Sequence, residues 1–352
     1  MQKQERIGPA IYLLGLLGLA ILTALLVQSG IGDVARAIAT AKWGVVAVSF
    51  FHLVPLSLDS LSWWLLFPAP RRLTLRTVFW MRWVGESVSN LVPASSVGGD
   101  ILRARFAALR GVPVSVAAAT VLADITLGLF TQTLFTLAGV ALLVSATGRT
   151  SIITPALASA PVAIAAVGGF YAVQRFGMFR IIGAIISRLV DDPVWHGFVA
   201  KGGGVDQALR ASYANGRTML GCAGCELTSW VIGAGEVWIA LWAVGVPSGF
   251  DRALILEGVG QGVRAALFFI PGGLGVQEGG YVVVGRLLGI PGDAALAVSL
   301  IRRARELAVG LPGLVAWQFS EARQFLQRSK NAGSDVADSS PTTKPSGNRP
   351  GA

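Results

Sequence analysis

Long apolar runs alternate with short charged segments along this chain. A helix needs about 20 mostly apolar residues to cross the hydrocarbon core of a bilayer. Six runs reach that length: about Ile7–Val27, Trp43–Phe67, Val114–Val144, Ile152–Val173, Met219–Val246 and Ala294–Phe319. The first follows Lys3, Glu5 and Arg6 and has no small-x-small cleavage site behind it, so it predicts an uncleaved signal anchor. The second contains Pro55 and Asp59, the third Asp124, and the fifth Glu226 and Glu236.

Two segments break the pattern. Residues 85–111 read GESVSNLVPASSVGGDILRARFAALRG, and residues 257–292 read EGVGQGVRAALFFIPGGLGVQEGGYVVVGRLLGIPG. Both are too polar, and too rich in Gly and Pro, for a span that faces lipid. Freed backbone groups are tolerable at membrane depth only beside protein or a polar cavity. The expectation is an all-α integral membrane protein with about six full spans and two broken or re-entrant segments, six to eight transmembrane helices in all. The membrane domain would cover 1–322. Residues 175–217 form a polar cytoplasmic connector, whose FGMFRIIGAIISRLV portion reads as an amphipathic interfacial helix. Residues 329–352 are rich in Ser, Pro, Thr, Gly and Asn and predict a disordered tail.

The broken segments align without a gap at an offset of 178 residues. Pro93 falls on Pro271, Asp100 on Glu278, Gly111 on Gly289 and Pro113 on Pro291. Repeat halves of roughly 43–145 and 219–319 follow. Three full spans separate the two copies, and an odd number puts them on opposite faces. The repeat is then inverted, an architecture that places interrupted helices around a midplane site in transporters. Two further matches reverse charge: Glu86 with Arg264, and Asp124 with Arg302. Ionisable groups at membrane depth face partners or water, so these acids and bases are expected to pair or to ring one cavity.

Composition changes the picture in one respect. Of 352 residues, 53% are hydrophobic and 14% charged, against about 25% charged in soluble domains. The net charge of +10 would suit nucleic acid, but the Lys and Arg residues fall between apolar runs. That placement suits topology setting and anionic lipid headgroups. It predicts a multi-pass protein of the bacterial inner membrane with both termini cytoplasmic, and no nucleic-acid partner. Cys222 and Cys225 sit in an apolar run and read as core residues, and the two histidines, His52 and His196, are far apart, so no metal site is expected. The Walker A pattern is absent, as is any Ser-His-Asp or Cys-His set. No cofactor is predicted; beside a transporter, the alternatives are a non-catalytic partner in a lipid-synthesis complex and a membrane enzyme using the clustered Arg with Glu278 and Asp100 on a lipid headgroup.

Candidate binding residues come from the broken segments and the last span. Asn90, Pro93, Asp100 and Arg103 could present Arg and backbone N–H groups to an anionic headgroup. Pro271, Gly272, Gly273, Gly275 and Glu278 combine close backbone approach with an acid. Arg302, Arg305 and Glu306 open the last span, with Arg302 and Glu306 as i,i+4 neighbours. Arg264 could join them at a phosphate, and Asp124 lies within a span. Glu226, Glu236 and Asp124 are candidate proton carriers.

The pattern Asn90-x-x-Pro93, Gly99-Asp100 and Arg103, then Pro271-Gly272-Gly273-x-Gly275-x-x-Glu278, then Gly289-x-Pro291 and Arg302 resembles the lysylphosphatidylglycerol synthase transmembrane-region family. The similarity covers roughly residues 8–322. The stretch ADITLGLFTQTLFTLAGVALL resembles its hopanoid-biosynthesis-associated branch. The resemblance implies a flippase-like domain that moves an amphiphilic lipid (phospholipid, polyprenyl-linked or hopanoid), with lipid-biosynthesis enzymes as partners. In the bifunctional multiple peptide resistance factors such a domain accompanies a soluble synthase. Only a short, low-complexity stretch follows the last span here, so neither synthase activity nor an aminoacylated lipid is implied. Asp100 stands where Glu is commoner in the family, and ASSVGG replaces a tighter Pro-Gly turn.

Overall fold

The computed structural model describes residues 41, 43–68, 73–91, 98–148, 153–177, 193–266 and 276–338. All regular secondary structure among them is helical. In chain order the helices are α1 (Trp43–Phe51), α2 (Leu53–Leu65), α3 (Leu75–Leu91), α4 (Gly98–Leu109), α5 (Val114–Thr147) and α6 (Ile153–Phe176). They continue with α7 (Pro193–Ala214), α8 (Gly216–Ala243), α9 (Phe250–Ala266), α10 (Val276–Leu287) and α11 (Gly292–Asp338). Ile7–Val27, Pro93, Pro271, Gly272, Gly273, Gly275, most of the FGMFRIIGAIISRLV stretch and 339–352 lie outside the described residues.

The body is apolar outside and charged inside. Trp43 is 80% exposed, Leu220 76% and Val114 72%, whereas Asp124, Glu236 and Arg302 are no more than 6% exposed. Water would favour the reverse, and lipid favours this arrangement. By length and composition two of the described segments, Trp43–Leu65 and Val114–Thr147, are clear candidate membrane spans. The chain is thus an all-α membrane protein. The expected runs at Ile152–Val173, Met219–Val246 and Ala294–Phe319 correspond to α6, α8 and α11. Among these, α8 and α11 carry buried acids and arginines that dilute their apolar content.

Several local features refine the sequence reading. Trp43–Phe67 is interrupted at His52, because Pro55 has no N–H to give to the carbonyl of Phe51. The broken segments reach further back than their Gly-rich parts: α3 begins at Leu75 and α9 at Phe250. Helix α11 runs to Asp338, so residues 329–338 are helical and not part of a disordered tail. No proline interrupts that stretch until Pro341. The connector also contains α7, which buries Val205 and Leu209 in the same core as Val121 and Ala123 of α5. Asn215 ends α7 and caps α8, its side-chain oxygen accepting from the Thr218 N–H at 3.2 Å.

The two copies share their local geometry. Helices α4 and α10 begin and end 178 residues apart, as do the starts of α5 and α11. Each copy ends its short helix on a glycine with positive φ, 86° at Gly111 and 74° at Gly289. The Val112 N–H reaches the Ala107 carbonyl at 3.3 Å and the Ile290 N–H reaches that of Gly285 at 2.8 Å. This is the Schellman closure, in which glycine takes the left-handed position and the next residue bonds back to satisfy an orphan carbonyl. Val112 and Ile290 are both buried. Pro113 and Pro291 then start the next helix, their carbonyls accepting from Ala117 and Ala295 at 2.9 and 3.0 Å.

The copies pack crosswise. Helix α5 of the first copy lies on α9 of the second, and α11 of the second lies on α3 of the first. A Cβ on Gly139 of α5 would come within 3.1 Å of the Gly258 Cα in α9, so the two backbones touch there. On the other side the Trp83 indole N–H donates to the Val309 carbonyl at 3.0 Å. Helix α8 runs antiparallel to α1–α2. Gly44 meets Ala243, Gly235 meets Phe51, Ser229 donates to the Pro55 carbonyl at 3.1 Å, and Cys222 donates to that of Ser62 at 3.2 Å.

Candidate functional site

The charged interior divides into three connected groups. The first is centred on Asp124 of α5. Its Oδ2 accepts from Arg82 of α3 at 2.6 Å and from Arg103 of α4 at 2.8 Å. Arg103 also donates to Asp100 one turn back on α4, and its guanidinium lies over the Trp63 ring, 4.9 Å from the centroid. Asp59 of α2 completes the set 3.9 Å from Arg82. Two forked cations converge on one buried carboxylate, and Asp100 and Asp59 compensate the positive charge left over.

The second group is centred on Arg302 of α11. It donates to Glu257 of α9 and to the Tyr281 hydroxyl of α10. Tyr281 and Gln261 each donate to Glu257 at 2.8 Å. A narrow polar crevice beside it is lined by Gly260, Gln261, Arg264, Gln277, Tyr281 and Arg302. Close by, Arg303 pairs with Glu278, and Arg264 lies 3.6 Å from Glu306. Buried donors remain unpartnered at Arg302 Nε and Arg303 Nη2 among the described residues, as does the acceptor Glu278 Oε2.

The third group joins the copies. Arg305 of α11 reaches Glu236 of α8 at 3.0 Å and lies 4.0 Å from Glu86 of α3. His52 sits between the two acids, with Asn90 donating to Glu86 at 3.4 Å. Separate from the charges, a cavity of about 570 Å³ opens between α5, α6 and the α7–α8 junction. Its walls are mostly apolar (Leu127, Phe130, Leu134, Ile164, Met219, Leu220), with the hydroxyls of Thr126, Tyr171 and Tyr213 among them. At that end Tyr213 and Thr126 share the side chain of buried Gln174.

The expected residues that are described all fall in or beside these groups: Asn90, Asp100, Arg103, Asp124, Arg264, Glu278, Arg302, Arg305 and Glu306. Their partners differ from expectation. Asp124 does not pair with Arg302, nor Glu86 with Arg264. The offset that aligns two residues makes them equivalent, and equivalent residues meet only where the relating axis passes between them. Glu306 pairs with Arg264, across helices, and not with Arg302 along its own helix. Arg82, His52, Glu257 and Tyr281 also belong to the groups and were not among the expected residues, and Glu86 was expected only as a counterpart of Arg264. Tyr281 looks like a core residue in GGYVVVG, and only its hydroxyl betrays a polar partner. Among the described residues no group of three His, Cys, Asp or Glu side chains could hold a metal ion.

No curated protein and no solved structure matches the chain. A family model does: that described as lysylphosphatidylglycerol synthase TM region matches residues 12–313, which include every residue of the three groups. The match spans most of the chain and carries with it membrane residence and a tie to lipid handling. This all-α membrane protein, with its charges folded inward, belongs to the lysylphosphatidylglycerol synthase TM-region family.

Proposed function

We propose that the protein moves an amphiphilic lipid between leaflets of the bacterial inner membrane without altering it chemically. One observation carries the reading: buried arginines and carboxylates from both copies meet inside a body whose outer surface is apolar. A polar headgroup crossing hydrocarbon needs such a lining, since burying an unpaired charge is prohibitive. The unpartnered donors of Arg302 and Arg303 would meet a phosphate or other anionic headgroup once the α9–α11 crevice, too tight here to hold a water molecule, opens. The apolar cavity at Thr126, two residues from Asp124, suits the hydrocarbon part. Crosswise packing of two equivalent halves, with α8 antiparallel to α1–α2, fits an inverted repeat about an axis in the membrane plane. Rocking one half against the other would open the polar interior to each face in turn. The Lys and Arg distribution argues for cytoplasmic termini.

Reconstitution tests this directly. Native protein and Glu278→Gln would be placed in liposomes beside protein-free liposomes, and translocation of headgroup-labelled lipids of several classes followed. The expected result is transport by the native chain that is lost in the variant, because Arg303 then lacks its anion. Well-folded native protein that never exceeds the protein-free rate would reject the reading.

A further inference from the structure

His52 occupies an unusual position, at the interruption between α1 and α2 where α3, α8 and α11 converge. Its Nδ1 lies 2.8 Å from Glu236 Oε1 and its Nε2 lies 3.1 Å from Glu86 Oε1. Both are hydrogen-bond distances. An ionised carboxylate only accepts, and a neutral imidazole carries one N–H. With one hydrogen on the ring, one of the two contacts would set lone pair against lone pair. The arrangement therefore holds a second hydrogen between the two acids.

Charge counting gives the same answer. The groups facing His52 are Glu86 of α3, Glu236 of α8 and Arg305 of α11. The next charges outward are Arg82 and Asp59 on the Glu86 side and Arg302 on the Glu236 side, and both arginines already pair elsewhere. Two carboxylates against one guanidinium leave a buried excess negative charge, and one added proton cancels it. A net charge in a low-dielectric interior costs far more than a neutral set.

We propose that His52, held between Glu86 and Glu236, is a binding site for one exchangeable proton that links the two halves of the molecule. Uptake forms one N–H bond from a solvent proton; release breaks it and leaves the electron pair on the ring nitrogen. Glu86 is the least buried member, with its side chain 30% exposed, and offers the route in. Loaded, the site ties α3 of the first copy to α8 and α11 of the second. Empty, it loses one of its two hydrogen bonds and gains a charge, so the halves are held less firmly. Resting on the transport reading above, this couples lipid movement to a proton gradient.

The chain has two histidines, so His196→Gln leaves His52 as the only imidazole. Full-length protein with ¹⁵N-labelled histidine in nanodiscs would be followed by NMR between about pH 5 and 10. A doubly protonated ring whose titration changes in both Glu86→Gln and Glu236→Gln is the expected result. A ring that is never doubly protonated, or one indifferent to both substitutions, overturns the site. In a second arm, phosphatidylcholine and phosphatidylglycerol vesicles would carry headgroup-labelled phosphatidylglycerol under an imposed gradient. One proton per lipid shifts the steady-state leaflet ratio by about tenfold per pH unit, and His52→Gln abolishes the shift. Translocation unaffected by the gradient overturns the coupling and leaves the transport reading intact. The expected NMR behaviour without any translocation retains the proton site and counts against transport.

Discussion

Asp124 and Arg302 occupy equivalent places in the two copies, yet one is an acid gripped by two arginines and the other an arginine gripped by an acid and a phenol. Their partners are equivalent too: Arg103 of α4 and Tyr281 of α10 stand 178 residues apart, and each reaches the central residue of its own copy. The backbone thus dictates where a buried polar side chain on the long helix meets one on the short helix. It does not dictate sign. What must hold is that each meeting point is compensated, because one uncancelled charge there is costly. The copies differ in how many partners remain when the centre is removed, and that difference can be measured.

The largest effect is expected for Asp124→Asn. It leaves Arg82 and Arg103 facing each other with Asp100 and Asp59 only at their edges, at a cost of about 3–5 kcal/mol. Thermal unfolding in detergent would show it as the largest drop among these variants. Arg302→Gln should cost less, because Glu257 keeps the Tyr281 and Gln261 donors; equal losses would undo the comparison. Next comes the seam between copies. Gly258→Leu has no room against Gly139 and the Phe135 carbonyl, so about 1–3 kcal/mol is lost. A neutral result would mean that α5 and α9 do not touch as described.

Tyr281→Phe removes one donor from Glu257 and should cost about 1 kcal/mol. The Asp124→Asn and Arg302→Gln losses should add to within about 0.5 kcal/mol, since the two centres share no partner. Strong coupling would restore the idea of a common cavity for that pair. The smallest effect belongs to Arg105→Ala. Its bond to Glu321, 2.9 Å at one oxygen, lies at the exposed edge and is worth about 0.5 kcal/mol, screened away by salt.

Much of this fold is written in the chain because lipid imposes simple rules. The apolar run at Val114–Val144 became α5 to within three residues at its end, since Gly148 takes the left-handed position that stops the helix. The Gly-x-Pro pairs at 111–113 and 289–291 foretold two matching turns because glycine and proline leave the backbone little choice there. The membership of the site was half legible for the same reason: an arginine such as Arg302 or Arg305 inside an apolar run must face inward. Its wiring was not. Whether Asp124 meets Arg302 or Arg82 depends on which helix crosses which, and periodicity along one helix is silent on that. His52 stayed hidden because a lone histidine in an apolar run carries no pattern, and its two acids come from α3 and α8, distant in sequence.

The bare contact of Gly139 with Gly258 has a mechanical reading. Interlocked side chains act as gear teeth: sliding one helix past another means lifting every knob from its hole. Where two backbones meet with nothing between them there are no teeth to lift, and a small shear changes few contacts. At that point, though not where Thr136 seats against Gly262, the α5–α9 seam is in that sense a bearing surface. On the transport reading, the charged groups at Asp124 and Arg302 keep each half rigid on its own side, and the resistance to shear is concentrated elsewhere along the interface.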